Sequence, residues 1–251
     1  MSEIADFWDK APCEAWHGTA PVGSMWWSQQ ISAQRYFVQP HIREFADFPR
    51  WRGKYVLEIG CGIGTDAIEF ARAGAMVVGT DASMESIRLA RTRRELIGRL
   101  GNAQFFLAYS NGELEQEQSA VPFDLVYSFG VLHHTPHPET VLQNAHKYLK
   151  HSGELRIMLY AKYSLKHLFR RQPEASAGCP LVRWYSMREA KRLVESSGFR
   201  VTSIEKRHIF PWRIKKYRQH RYRKAFPWNI IPEEWFERYL GHHILVKAVK
   251  A

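Results

Sequence analysis

Cysteine is scarce in this chain of 251 residues: Cys13, Cys61 and Cys179 are odd in number and far apart. That fits a reducing compartment better than a disulfide framework, so the expected location is the cytoplasm. No apolar run approaches the roughly 18 residues a membrane-spanning helix needs, and the N-terminus is acidic and aromatic rather than basic then apolar. Neither a transmembrane segment nor an export leader is expected. Internal repeats and low-complexity tracts are also missing. No glycine turn is followed by Gly-Lys-Ser/Thr, which removes the phosphate-cradling nucleotide sites.

Positive charge is abundant and uneven. The formal charge is +11. Between Glu205 and Lys224 there are nine Lys or Arg against one Glu, a net +8. Such a patch attracts anions. A solvated helix face is the plain reading. Nucleic acid is the sharper one, because Trp212, Tyr217, Tyr222 and Trp228 interleave with the bases as stacking platforms do. No recognised RNA-binding module accompanies them, so nucleic acid is not the favoured partner.

The most informative segment is the apolar run Tyr55–Ile59, which ends in Gly60-Cys61-Gly62-Ile63-Gly64 and continues into a helix. A second strand follows, Val77 to Thr80, capped by Asp81. This describes a nucleoside-binding βαβ unit. Dinucleotide folds want G-x-G-x-x-G, whose third glycine position is here Thr65; the glycine falls one residue early, at Gly64. Glu58 beside the turn would repel a pyrophosphate but suits a ligand carrying an ammonium and a sulfonium.

With these residues the chain resembles the class I S-adenosyl-L-methionine (SAM)-dependent methyltransferases, in their small-molecule, type 11-like branch. The resemblance runs from about Gly53 to Tyr160. Two further blocks carry it: Phe123-Asp124-Leu125-Val126-Tyr127-Ser128-Phe129-Gly130-Val131-Leu132-His133-His134, similar to the fourth strand and the loop beside the methyl group, and Tyr148-Leu149-Lys150-His151-Ser152-Gly153-Glu154-Leu155-Arg156-Ile157, similar to the helix-turn-strand signature that follows. The resemblance implies SAM as cofactor and S-adenosyl-L-homocysteine as product. It implies a cofactor site of Glu58, Gly60, Cys61, Gly62, Gly64, Asp81, Ala82, Ser128 and Phe129, with Asp81 on the ribose hydroxyls. Ser110 or Asn111 stands where family members place an Asp on the adenine; an Asn-Gly turn is the plain reading there.

The expected fold is α/β, a Rossmann-like doubly wound, mostly parallel seven-stranded sheet with the last strand antiparallel. One domain is expected: a helical N-terminal cover over 1–48, most helical from Gln30 to Phe48, and a cofactor-binding core over 49–160. Two long insertions, 161–185 and 210–242, are read as an acceptor cap. Helices are placed near Thr65 to Ala73, Met84 to Leu100, Pro138 to Lys150 and Ser186 to Ser197, the last opening on a capping box of Ser186 and Glu189. The fifth strand is placed from Gly153 to Tyr160.

Methyl transfer is an in-line displacement that needs alignment first and a base second. His133 and His134 are the candidate catalytic residues, since the family places a histidine of a similar L-H-H segment as base; the acid that sometimes backs it on the fifth strand is missing, the strand ending Met158-Leu159-Tyr160. The plain reading is that one of the pair only packs the loop. His133, His134, His137 and His146 lie close in sequence, yet no cysteine joins them and two prolines intervene, so no metal is expected. Trp26, Tyr36, Tyr160, Tyr185 and Arg183 are candidate acceptor contacts, suited to an apolar body with an anionic part. The function read is methyl transfer from SAM to a small-molecule acceptor, at O or N. Two alternatives stand beside it: an RNA or peptide methyltransferase docking through 205–224, and a non-catalytic SAM-binding regulator or partner subunit. Oligomeric state is not legible.

Overall fold

The computed structural model describes residues 3–98, 101–107, 113, 114, 121–165, 167, 179–209, 230 and 232–251. Seven strands build one sheet: β1 (Tyr55–Ile59), β2 (Met76–Asp81), β3 (Ala103–Leu107), β4 (Phe123–Phe129), β5 (Leu149–Tyr160), β6 (Phe199–Arg207) and β7 (His243–Lys250). Their order is β3-β2-β1-β4-β5-β7-β6. Pairs from β3 through to β5 are parallel, and β7 runs antiparallel to both neighbours. This is the expected Rossmann-like sheet: the alternation of strand and helix implies its parallel part, and the resemblance to the methyltransferases implies the antiparallel last strand. Between β1 and β4 the strand order reverses direction, the switch point at which open α/β sheets bind ligands.

Both faces of the central strands are covered, so their residues are apolar almost without interruption. On one face Val56, Phe70, Tyr127 and Leu245 share a core. On the other Leu57, Val126, Leu142 and Val194 share a second. Adjacent residues such as Val56 and Leu57 divide between them because a strand alternates its side chains. The crossover helices are α4 (Thr65–Arg72), α5 (Met84–Ile97), α6 (Pro138–Tyr148) and α7 (Met187–Glu195). The capping box of α7 forms: Ser186 N donates to Glu189 Oε2 at 2.7 Å and Glu189 N to Ser186 Oγ at 3.2 Å.

Two boundaries differ from expectation. Strand β5 begins at Leu149, pairing with Phe123 ahead of a register shift, where a helix end and a glycine turn were expected. The N-terminal cover contains α1 (Glu3–Lys10), α2 (Met25–Val38) and α3 (His41–Ala46). Helix α2 starts earlier than Gln30 because Ser24 caps it, accepting from Trp27 N at 3.1 Å. It stops at Gln39, which has left the helical region with φ of −130° and ψ of 64° while its N–H still reaches Arg35 O, and Pro40 follows.

Two buried arginines fasten the cover to the sheet. Arg156 on β5 donates to the Phe45 and Ala46 carbonyls at 2.7 and 3.0 Å, satisfying the end of α3. Arg93 on α5 is wholly buried and reaches Ser28 Oγ, Ser32 Oγ, Ile63 O and Thr65 Oγ1 at 2.7–3.1 Å. It thereby joins α2 to the glycine turn. A further helix, α8 (Glu233–Leu240), lies within the second insertion and buries Phe236. The greater part of the basic stretch, from 210 to 224, lies outside the described residues, as do Trp228, Ser110 and Asn111.

Candidate active site

A cleft of about 1030 Å³, including its open mouth, lies at the carboxyl ends of β1, β2 and β4. Its floor is the glycine turn. Gly60 N and Cys61 N both donate to Thr80 O, at 2.7 and 2.9 Å, which ties the end of β1 to the end of β2. Gly60 has φ of 73°, and a Cβ there would sit 2.2 Å from Val131 Cγ2. Glycine is therefore required on two counts, backbone hand and the approach of the β4 loop.

Asp81 closes the turn from the other side. Its Oδ2 accepts from Gly62 N at 2.8 Å and its Oδ1 from Ser83 N at 2.9 Å. Burial raises the carboxyl above its ordinary range, and those backbone donors offset part of the effect. Each carboxylate oxygen can accept more than one hydrogen bond, so both remain able to take a ligand hydroxyl. Ala82 lines the cleft beside it.

Behind the floor lies an acidic cluster. Glu58, buried on β1, lines the cleft, and its Oε2 has no hydrogen-bond partner. Burial and the nearby Asp66 hold this carboxyl well above the usual range, with Arg35 opposing. Arg35 clamps Asp66 with two donors, Nε to Oδ1 at 2.9 Å and Nη2 to Oδ2 at 2.6 Å. It also pairs with Glu14 and lies over the Phe129 ring at 5.4 Å. Burial works against the Arg35 charge, but Asp66 and Glu14 raise its pKa further. Tyr36 and Tyr127 complete the cluster by donating to Asp66 at 2.9 and 3.1 Å.

The N-terminal cover forms the roof. Ile4, Trp8, Cys13 and Glu14 line the cleft. Asp9 fixes α1 there, its Oδ1 accepting from Ser83 Oγ at 2.7 Å and from Glu85 N at 2.9 Å, on the first turn of α5. A carboxylate at a helix N-terminus is favourable for charge as well as for its donors.

The two adjacent histidines differ. His134 lines the cleft beside Gly130, Val131 and Thr135. Its Nδ1 lies 2.8 Å from Leu181 O, and the Trp8 ring meets it edge-on at 5.6 Å. Because a carbonyl can only accept, Nδ1 carries the hydrogen and Nε2 the lone pair. Burial lowers the His134 pKa, with the Leu181 bond opposing. His133 instead points into the core, fully buried and stacked on Tyr160 at 3.6 Å.

The remaining candidates distribute as follows. Gly60, Cys61, Gly62, Glu58, Asp81, Ala82, Phe129 and His134 come together around the cleft. Gly64 is the left-handed residue just before α4. Ser128 is buried behind the cleft, its hydroxyl donating to Ile59 O at 2.9 Å. Tyr36 belongs to the Asp66 cluster rather than to the cleft wall. Trp26 is 64% exposed and outside the cleft lining, while Trp27 beside it is the buried one. Tyr160 packs between His133, Trp184 and His242. Tyr185 pairs with the end of β5, and Arg183 Nη2 donates to Pro136 O at 2.8 Å. Cleft residues not singled out from the sequence include Trp8, Glu14, Asp66 and Thr135. Asp66 had a signal, an acid in the first helical turn after the glycines. Among the described residues, no group of three or more His, Cys, Asp or Glu side chains converges as metal ligands do.

A family model described as a methyltransferase domain matches residues 31–204. A ubiquinone biosynthesis O-methyltransferase of Coxiella burnetii (strain RSA 493 / Nine Mile phase I) is 26% identical over 170 residues, 64% of this chain and 69% of that protein. The mitochondrial ubiquinone biosynthesis O-methyltransferase of Schizosaccharomyces pombe is 33% identical over 116 residues, 46% of this chain and 41% of that protein. Among solved structures, magnesium protoporphyrin IX methyltransferase from Synechocystis PCC 6803 with bound S-adenosylhomocysteine gives a TM-score of 0.64 at 15% identity, over 99% of this chain and 98% of that one. At that identity the structural likeness speaks for the fold alone.

Proposed function

The chain belongs to the methyltransferase-domain family, and on that premise we propose how its cleft carries out SAM-dependent methyl transfer to a small-molecule acceptor. The observation that carries the reading is the convergence, in one cleft, of the glycine turn, Asp81 and His134. The residues suit the cofactor: Glu58 presents a buried, unpartnered carboxyl oxygen where an ammonium would be held, and the turn admits no side chain at Gly60. Asp81 takes the ribose hydroxyls. Arg35, which reaches the cleft from α2, would be a partner for the methionine carboxylate. Ala82, Phe129 and Trp8 also line the cleft, where Ala82 would meet the adenine and the two aromatic rings would shield the sulfonium.

When bound, SAM supplies an electrophilic methyl group whose departure leaves neutral sulfur. The chain's part is to align and to deprotonate. Alignment alone is worth roughly 7–11 kcal/mol of barrier. His134 Nε2 accepts the proton of the acceptor as its oxygen attacks, and the Leu181 carbonyl steadies the imidazolium that forms. The two thiols of the cleft suit this task less well. Cys13 is pushed up to about 12 by burial first and Glu14 next, and Cys61 is also raised by burial. Water is kept out by the α1 roof.

An oxygen acceptor is supported by the relatives, which are named as O-methyltransferases. The insertions 161–185 and 210–242 serve as the acceptor cap of a single domain, and an acceptor with an apolar body and an anionic part suits the aromatic and basic residues they carry. No helix among the described residues is long and apolar enough to cross a membrane, and the three cysteines are free, which supports a cytoplasmic setting. The test is transfer of labelled methyl from SAM to a panel of phenolic and catecholic acids and their neutral analogues. Turnover with at least one hydroxyl acceptor, lost in His134→Ala, is expected. Methylation of RNA or peptide with none of the small molecules would overturn the reading.

A further inference from the structure

Segment 179–185, the return leg of the first insertion, lies across the 131–137 loop like a strap. At one end Tyr185 N donates to Tyr160 O at 2.9 Å and Lys162 N to Tyr185 O at 2.8 Å, fastening it to the end of β5. Ser186, the N-cap of α7, follows at once. Along its length the strap holds the loop by hydrogen bonds. Arg183 N donates to His133 O at 2.8 Å. The Arg183 guanidinium donates from Nη2 to Pro136 O, also at 2.8 Å. Leu181 O accepts from His134 Nδ1 at 2.8 Å. Arg183 thus grips the loop on both sides of His134, at positions 133 and 136, while Leu181 holds the ring itself.

We infer that Arg183 is a positioning residue for methyl transfer: by clamping the Pro136 carbonyl it keeps the Leu181 carbonyl on His134 Nδ1, and so fixes Nε2 as the proton-accepting nitrogen. This rests on the reading of His134 as the base. The tautomer of a neutral imidazole is decided by the hydrogen bond its other nitrogen makes, and here that bond comes from a segment 47 positions away in sequence. Without the clamp the nearest alternative for Nδ1 is Cys179 Sγ, at 3.4 Å, a weak partner that does not dictate the tautomer. Arg183 itself is outside the lining of the cleft, so the clamp accounts for it better than an acceptor contact does. One consequence follows for specificity. The insertion read as the acceptor cap also sets the base, so remodelling it for a new acceptor disturbs proton removal unless the Leu181 and Arg183 contacts are kept.

The test is ¹⁵N NMR of histidine-labelled full-length protein above pH 8, with the His134 signals assigned from a His134→Gln variant, alongside steady-state kinetics. Wild type should show His134 protonated at Nδ1. Arg183→Met, which keeps the stem and removes the donors, should give a tautomer mixture and a kcat roughly tenfold or more below wild type, with the KM for SAM unchanged. Arg183→Lys should restore part of both. A His134 protonated at Nε2 in wild type would overturn the inference, and needs no variant to fold. So would an unchanged tautomer and kcat in Arg183→Met; if His134→Gln were inactive in that case, the base reading would survive alone. Wild-type activity in His134→Gln would remove the base reading and this inference with it.

Discussion

On the cofactor wall, Gly62 finds its partner Asp81 only 19 positions away, within one βαβ unit. On the facing wall, His134 depends on Leu181, 47 positions on, and on Trp8 of the N-terminal cover. The first wall is local, built from backbone donors whose geometry the glycines dictate. The second is assembled from three segments distant in sequence. A cofactor shared by many reactions needs the same floor each time, whereas an acceptor needs a wall that can be exchanged. The two adjacent histidines mark the border: His133 turns inward onto Tyr160 as packing, and His134 turns to the cleft.

The largest effects should come from the local wall. Asp81→Ala removes the proposed ribose acceptor and the partner of Gly62 N. Losing two charge-assisted hydrogen bonds costs about 3 kcal/mol or more, roughly a 100-fold weaker S-adenosylhomocysteine affinity by calorimetric titration. Binding of unchanged strength would show that the turn does not hold the nucleoside. Gly60→Ala should lower stability by about 1–3 kcal/mol in denaturant melts, from the positive φ and from the clash with Val131; a neutral result would mean that the β4 loop can retreat.

Across the border, His134→Ala should reduce kcat by roughly 10²–10⁴ at unchanged cofactor affinity. His133→Ala should chiefly lower the melting temperature. The pH profile sharpens the distinction. Burial lowers the His134 pKa, and a base acts when unprotonated, so kcat should hold constant as pH falls from 8 to about 6.5 and decline only below it. A decline already complete at pH 7 would place the essential group elsewhere.

A smaller effect concerns the cover. His41 on α3 meets His243 Nδ1 at 3.0 Å, and burial first, then Arg207 and Arg35, lowers its pKa from the ordinary 6.5 to about 3. The unfolded chain therefore binds this proton at a pH where the folded chain does not. Stability should fall as pH drops from about 6.5 toward 3, and His41→Gln should flatten that part of the curve. Trp26→Ala, at an exposed site, should change stability by no more than about 0.5 kcal/mol.

The same contrast explains what the sequence disclosed. The parallel sheet was legible because buried strands read as short apolar runs between glycine and helix signals, and the floor because Gly60, Gly62 and Asp81 act through local backbone geometry. The start of β5 was hidden, since Leu149-Lys150-His151-Ser152-Gly153 carries turn residues while the chain already pairs with Phe123. The Arg35–Asp66 clamp was hidden as well: its partners lie 31 positions apart, and charged residues usually signal a surface. That His134, and not its neighbour, faces the cleft is decided by Leu181 and Tyr160, which no local pattern ties to the pair.

The most direct test measures cofactor Kd and single-turnover methyl transfer together in Asp81→Ala and His134→Ala. The division of the cleft predicts a crossed result. Asp81→Ala should weaken Kd roughly 100-fold while transfer at saturating cofactor stays within about tenfold, and His134→Ala should leave Kd unchanged while transfer falls roughly 100-fold or more. Kd and rate falling together in both variants would contradict it, showing one cooperative site rather than a cofactor floor and a separately built acceptor wall.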